Sequence, residues 1–100
     1  MIKSFGQFIK DLRVKNGFTL TDLAVRLNID SANLCKIENG KRQFDEKKIP
    51  ALCKVFNLEE KEMKTELLSE KIALKASESE VDSCVFHLAE RKVKYFKSVK

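Results

Sequence analysis

The stretch TLTDLAVRLNIDSANLCKIENG, residues 19–40, decides the fold of this 100-residue chain. Its apolar residues follow helical spacing that is broken once, around residues 28–30, and then resumes. The pattern predicts two short helices, over residues 20–27 and 31–39, joined by a tight turn. Because a helix pair this short cannot bury its apolar sides alone, we expect the rest of the chain to support it and the second helix to face a partner.

Capping residues mark the ends of both helices. Thr19 with Asp22 three residues later forms a capping-box pattern at the start of the first helix. Asn28 lies where the turn needs a positive φ, which Asn accepts more readily than other non-glycine residues. Asp30 is a candidate cap for the second helix, and Gly40 is suited to end it.

The flanking residues predict further helices. Ser4 begins a capping-box pattern before a periodic run, which indicates a helix over residues 5–16 that ends at Gly17. Asp45 is a candidate cap for a fourth helix that contains Pro50. Since proline is poorly tolerated inside a helix, either the first turn is kinked or the regular helix begins nearer Lys48.

The sequence resembles the helix-turn-helix of the phage-repressor type, the Xre/Cro-like group of bacterial and phage regulators. The resemblance covers about residues 5–58 and depends on the capped second helix, Ala24, Asn28, the segment KIENGKR and five apolar positions: Leu23, Leu27, Ile29, Leu34 and Ile37. It implies an all-α, five-helix DNA-binding domain. In that family the helix that matches residues 31–39 lies in the major groove, and the start of the preceding helix, here Thr19, contacts the DNA backbone.

The resemblance also implies which side chains read DNA. Ser31, Ala32 and Lys36 match base-facing positions, and Asn33 lies beside them. Lys donates to guanine O6 and N7, and the Ala methyl suits a thymine methyl. Long amide side chains are frequent in this family at the positions of Leu20 and Ser31, and this sequence has neither. We therefore expect few direct base contacts, with DNA shape and dimerisation supplying more of the specificity.

Residues 39–43 are candidates for phosphate contacts. Lys41, Arg42 and Gln43 supply two cations and an amide, and we expect exposed backbone N–H groups near Asn39 and Gly40 to add further donors. The alternative is a solvated basic loop.

A possible ion pair would join the first and third helices. Arg13 and Glu38 match positions that form such a pair in members of the resembled family. Two solvated surface charges are the alternative interpretation.

Charge and composition agree with a nucleic-acid surface and give no sign of an enzyme. Residues 1–58 carry eleven cations (Lys and Arg) and six carboxylates (Asp and Glu), whereas residues 59–100 carry nine cations and nine carboxylates. The net charge of +5 therefore lies in residues 1–58, which contain the helix pair. No catalytic set or glycine-rich phosphate loop is present. The three cysteines are widely spaced and the single histidine lacks a metal-ligand companion, so we expect no metal, no cofactor, no membrane segment and a cytoplasmic protein.

The sequence divides into a DNA-binding unit, residues 1–58, and a helical extension, residues 59–100. The extension predicts a fifth helix to about residue 75 and a sixth over about 80–98, with capping pairs Ser77/Glu80 or Ser79/Asp82 between them. Two interpretations of its apolar stripes stay open: homodimerisation, which suits an inverted-repeat operator, or folding back over the same domain. The candidate dimerisation residues are Leu67, Ile72, Val81, Val85, Leu88, Tyr95 and Phe96.

Two function classes follow. The first is a sequence-specific regulator that binds double-stranded DNA as a homodimer. The second is an antitoxin-like or adaptor protein that binds another protein through the C-terminal helices.

Overall fold

The computed structural model describes residues 2–99 and is all-α over that range, as predicted. The helices are α1 (Phe5–Lys15), α2 (Leu20–Leu27), α3 (Ser31–Glu38), α4 (Ile49–Phe56), α5 (Glu60–Ser77) and α6 (Ser83–Ser98), with a short 3₁₀ helix, Glu46–Lys48, before α4. In the part of the chain that the structure describes, no helix is both long and apolar enough to span a bilayer.

The helix ends follow the capping chemistry of the sequence. The Ser4 hydroxyl accepts a hydrogen bond from the Gln7 N–H, and Thr19 and Asp22 form the complete capping box of α2. Four connections use a left-handed residue after the helix, which lets the chain reverse within one or two residues. These residues are Gly17, Asn28, Gly40 and Asn57.

Pro50 is accommodated without a kink. Asp45 caps the 3₁₀ helix through the Lys47 N–H, and α4 starts only at Ile49. Pro50 is therefore in the first turn of α4, where the missing N–H would have no intrahelical acceptor. Of the two alternatives for this region, the later helix start is correct.

The chain divides into two compact units, Met1–Glu70 and Lys71–Lys100. The core of the first unit is formed by side chains from α1 to α5 together with Phe44 of the loop before the 3₁₀ helix. Met63 and Leu67 of α5 are 6% and 1% exposed, so this unit extends past residue 58 to Glu70. The prediction that Leu67 is a dimerisation residue is wrong, because its side chain is enclosed in this core.

Cys53 belongs to the same core. It is 6% exposed, and burial raises the pKa of its thiol because the thiolate would lose its hydration there. The residue therefore packs as a small apolar group. Cys35 and Cys84 are exposed thiols.

In the second unit, α6 begins three residues later than predicted. Its N-cap is Asp82, whose carboxylate accepts hydrogen bonds from the N–H groups of Cys84 and Val85. The two proposed capping pairs, Ser77/Glu80 and Ser79/Asp82, are therefore wrong. A single carboxylate close to the first turn satisfies two N–H groups at once and needs no reciprocal partner.

The apolar side chains of α6 and its flanks are open to solvent. No residue of α6 is buried, and the exposed fractions of its larger apolar side chains range from 46% for Val85 to 60% for Tyr95. Ile72 near the end of α5 is 55% exposed, and Val81 before α6 is 38% exposed. This is a large amount of uncovered apolar surface for so short a segment.

Candidate nucleic-acid interface

The back of α3 lies directly against the backbone of α1. A Cβ atom at Gly6 would lie 1.9 Å from the Ile37 carbonyl oxygen and 2.9 Å from its carbonyl carbon. Both atoms belong to the backbone, so no side-chain rotation would relieve the contact. Gly6 is therefore required for the distance between α1 and α3, a role that the helical periodicity of the sequence does not reveal.

A bidentate ion pair makes the second connection between the two helices. Arg13 Nε donates to Glu38 Oε2 at 2.8 Å, and Arg13 Nη2 donates to Glu38 Oε1 at 3.1 Å. The Glu38 residue is only 5% exposed, and the hydrogen bonds to its carboxylate raise the pKa of Arg13. Arg13 Nη1 also donates to the Phe18 carbonyl oxygen at 3.1 Å. One guanidinium thus ties α1, the α1–α2 turn and the end of α3 together.

The opposite face of α3 is open and polar. Ala32 and Lys36 are exposed and Ser31 is half-buried, whereas Leu34 and Ile37 are buried in the core. The four-residue spacing of Ala32 and Lys36 puts them one above the other on this face. Cys35 is also exposed here, with its sulfur 3.4 Å from the Asn39 amide nitrogen, and it is a member of this surface that the sequence prediction omitted.

Asn33 and Arg42 form a hydrogen-bonded pair. Arg42 Nη1 donates to Asn33 Oδ1 at 2.7 Å, which links α3 to the loop that follows it. The Asn33 oxygen thereby accepts one hydrogen bond, and the NH₂ group of the same side chain stays available as a donor. Sequence reasoning assigned the two residues separately, to a base and to the DNA backbone. The bond between them depends on how the loop folds back, which local sequence does not encode.

The backbone N–H groups after α3 are already used. The Asn39 N–H donates to the Cys35 carbonyl, the Gly40 N–H to Ile37 at 3.1 Å, and the Lys41 N–H to Lys36 at 2.8 Å. The last two bonds, with Gly40 left-handed at a φ of 77°, form the Schellman closure of the helix. The prediction that backbone N–H groups near Asn39 and Gly40 are free for phosphate is wrong, because they satisfy the terminal carbonyls of α3.

Side-chain donors remain in this segment. The residues Lys41, Arg42 and Gln43 are all exposed, as is Asn39. Lys48, a cation that the predicted interface did not include, donates from Nζ to the Asn28 carbonyl oxygen at 3.2 Å. Lys48 also lines a shallow surface cleft of about 190 Å³. The other residues of the cleft are Ile29, Asn33, Ile37, Arg42, Gln43, Phe44 and Asp45.

Thr19 lies at the start of α2, where its hydroxyl oxygen accepts the Asp22 N–H at 3.1 Å. The Thr19 N–H in turn donates to the Asp22 carboxylate at 3.0 Å. These bonds lower the pKa of Asp22, first through the backbone N–H and then through the hydroxyl. The Thr19 side chain itself is exposed at the start of α2.

Comparisons with known proteins agree with this architecture. A family model described as a helix-turn-helix domain matches residues 6–69. No curated protein matches the chain. Among solved structures, a chain from a SinR protein/SinI protein complex is similar, with 23% sequence identity and a TM-score of 0.53. The similarity covers 93% of this chain and 97% of that chain, and at this identity it shows the fold.

Proposed function

We propose that this chain, which belongs to the helix-turn-helix domain family, is an Xre/Cro-like transcription regulator that binds a specific inverted-repeat operator as a homodimer. The proposal assigns α3 to the major groove. It makes the protein a regulator that recognises double-stranded DNA in the cytoplasm.

One observation carries the proposal: α3 is fixed from behind and open in front. Gly6 and the Arg13–Glu38 pair set its distance and direction relative to α1. Its free face carries Ser31, Ala32 and Lys36 and no large apolar side chain. A rigid helix with a small, polar and cationic front suits a groove about 12 Å wide whose edges present hydrogen-bond donors and acceptors.

The side chains then divide into two roles. We assign base contacts to Lys36, Ala32 and Ser31, with Asn33 as a donor beside them. We assign the DNA backbone to side-chain donors that flank α3, because phosphate contacts fix register and orientation without reading sequence. These are Thr19, Asn39, Lys41, Arg42 and Gln43; Gly40 contributes the turn that presents them.

A homodimer adds specificity, because the few base contacts of a single copy provide only a small part of it. Two copies of α3 related by a two-fold axis and about 34 Å apart would read two half-sites one helical turn apart. The uncovered apolar side chains of the second unit supply the surface for such a dimer, with Ile72, Val85 and Leu88 among them.

The test begins with a duplex selected from a random pool by the full-length protein. We expect Lys36→Ala to weaken binding to this duplex by roughly 5- to 150-fold, the worth of one good base contact, and to reduce the preference over random DNA. Lys41→Ala should weaken specific and random duplexes about equally and lower the salt dependence. Lys54→Ala, an exposed cation on α4, is the matched control and should leave both affinities unchanged.

Fluorescence anisotropy at several salt concentrations gives these values, and thermal unfolding of each variant shows that the fold is intact. Equal affinity of the wild type for selected and random DNA would overturn the regulator proposal. Sedimentation equilibrium measures the oligomer: a single-chain mass at micromolar concentration, both free and on the selected duplex, would overturn the homodimer.

A second candidate is a protein partner bound by the same C-terminal helices. The exposed apolar side chains favour it, and the similar solved chain comes from a complex of two named proteins. A mass that corresponds to one copy of the chain plus a different polypeptide, after purification from the native source, would favour this candidate over the homodimer.

A further inference from the structure

The hydrogen bond between Arg42 and Asn33 joins the loop after α3 to the open face of that helix. Arg42 Nη1 donates to Asn33 Oδ1 at 2.7 Å, a length typical of a bond from a charged donor. Asn33 is half-buried and Arg42 is exposed. Because a charge-assisted bond is stronger than a neutral one, the cation holds the Asn33 amide in one orientation.

Asn33 lies at the edge of the open face, beside Lys36. With about 100° of rotation per residue, the Asn33 side chain is roughly 60° from Lys36 and roughly 40° from Ile37 around the helix axis. Lys36 is exposed and Ile37 is buried. A side chain at this edge reaches the same groove as Lys36 and stays within reach of the loop that carries Arg42.

The cluster formed by Lys36, Asn33 and Arg42 presents mainly donors. Ammonium and guanidinium groups have no acceptor, so the Asn33 oxygen is the one acceptor among the three side chains. It already accepts from the guanidinium. A base amino group that used its second lone pair would bring partly positive hydrogens beside that cation, which is electrostatically unfavourable. The Asn33 NH₂ group meets no such penalty at a base acceptor.

The purine bases differ in what they offer to such a cluster. An unpartnered Asn pairs bidentately with adenine, because it donates to N7 and accepts from the N6 amino group. Guanine presents two acceptors, N7 and O6, at the same edge. The bond from Arg42 therefore disfavours the accepting half of the adenine pairing and leaves the donating half, which guanine can use.

We propose that Arg42 determines the base preference of Asn33, so that the amide selects guanine where a free Asn selects adenine. The inference rests on the placement of α3 in the major groove proposed above, and it adds a positioning role to the phosphate contact assigned to Arg42. The two roles are compatible, because the bond to Asn33 uses one of the five guanidinium N–H donors. Arg42 thus couples a phosphate, which carries no sequence information, to a side chain that reads a base.

The base pair that Asn33 reads is located first, with the full-length protein and the selected duplex. Each base pair of one half-site is replaced in turn, and fluorescence anisotropy gives the affinity of the wild type and of Asn33→Ala for every duplex. We expect one position at which the wild type prefers guanine over adenine by about 5- to 30-fold, the lower part of the range for a base contact. At that position Asn33→Ala should prefer neither base by more than about twofold.

Arg42→Ala then tests the positioning role at that position. Its affinity should fall for both duplexes because the phosphate contact is lost, and the preference for guanine should drop below about twofold or reverse in favour of adenine. Lys41→Ala, which removes an exposed cation of the same loop, is the matched control: it should lower both affinities alike and keep the guanine preference. An equal loss for both duplexes in Arg42→Ala would overturn the inference, because that is the result of a phosphate contact alone.

A double variant, Asn33→Ala with Arg42→Ala, shows whether Arg42 acts through Asn33. Compared with Asn33→Ala alone, its affinity should be lower, but the ratio between guanine and adenine at this position should not change further. A further change of more than about threefold would mean that Arg42 reads the base directly, and it would overturn the positioning role. Thermal unfolding of each variant checks that the fold is intact.

The outcomes distinguish this inference from the proposed function. If the wild type prefers adenine at the position of Asn33, or if Asn33→Ala changes the preference at no position, the inference fails. Specific binding to the selected duplex, and with it the regulator, stands in that case. If the wild type does not distinguish the selected duplex from random DNA, both fail.

Discussion

Replacing Gly6 by Ala tests whether the α1–α3 contact is as close as the structure gives it. The new Cβ would lie 1.9 Å from the Ile37 carbonyl oxygen, and a non-bonded Cβ requires at least 3.0 Å. The two helices would have to separate by roughly 1 Å, because both sides of the contact are backbone. Such a displacement loosens the packing of the side chains around it, including Phe5 and Ile9 of α1.

The magnitude follows from two opposing terms. Ala in place of Gly inside a helix is favourable by about 1 kcal/mol. Overpacking costs about 1–3 kcal/mol and more when the backbone must move. Because the 1.9 Å approach is to backbone atoms, we take the upper end of that cost, about 3 kcal/mol, which less the gain of about 1 leaves a net loss of about 2 kcal/mol in the free energy of unfolding and a fall in Tm of roughly 10 °C for a domain of this size.

Thermal and urea unfolding followed by circular dichroism measure this change. Gln7→Ala is the matched control: its side chain is exposed on the next position of the same helix, and its effect should stay within about 0.5 kcal/mol. If Gly6→Ala melts at or above the wild-type temperature, α1 and α3 are farther apart than described and the reasoning on how α3 is held fails.

Three further substitutions test other contacts. Glu38→Ala should destabilise the protein by about 3–5 kcal/mol in urea unfolding, because the guanidinium of Arg13 is left without its carboxylate. Adding Arg13→Met should recover most of this loss, and an absence of recovery would contradict the pairing. Asp22→Asn should lower Tm at pH 7, and by progressively less as the pH falls below 3.8. The hydrogen bonds from Thr19 lower the pKa of Asp22 below that ordinary value, so their stabilisation is fully present above pH 3.8 and is lost as the pH falls through the folded pKa. Glu70→Ala should cost about 1.5–3 kcal/mol, since the carboxylate of Glu70 accepts the first N–H of α1 at 2.7 Å; an unchanged urea midpoint would show that this contact is not formed in solution.

The sequence predicts the first three helices well because their signals are local. The caps at Thr19 and Asp30 and the left-handed residue Asn28 are each determined by a few neighbouring residues, and the observed bounds differ from the predicted ones by at most one residue. The start of α6 is less well predicted, because several Ser and acidic residues compete for one cap. Its N-cap is Asp82 alone.

The features that the sequence does not reveal depend on distant contacts. Gly6 looks like an ordinary small residue in an amphipathic helix until Ile37 is brought against it. Leu67 and its exposed neighbour Leu68 are both apolar residues of α5, and the sequence alone does not show which of them is buried. Only the position of α5 against the core distinguishes them. The hydrogen bond between Arg42 and Asn33 likewise requires the loop after α3 to be folded.

The way α3 is held changes how variants of this interface are to be interpreted. With few side chains on its front, a small displacement of the whole helix would move every base contact at once, and a 1 Å misplacement is large on the scale of a hydrogen bond. Substitutions at Gly6, Arg13 or Glu38 should therefore reduce specific DNA binding although none of them is among the proposed DNA contacts. They differ from Lys36→Ala in one measurable respect: they lower the free energy of unfolding as well, whereas Lys36, exposed and outside the core, contributes little to it. Measuring stability and affinity on the same set of variants separates residues that position the helix from residues that read the base pairs.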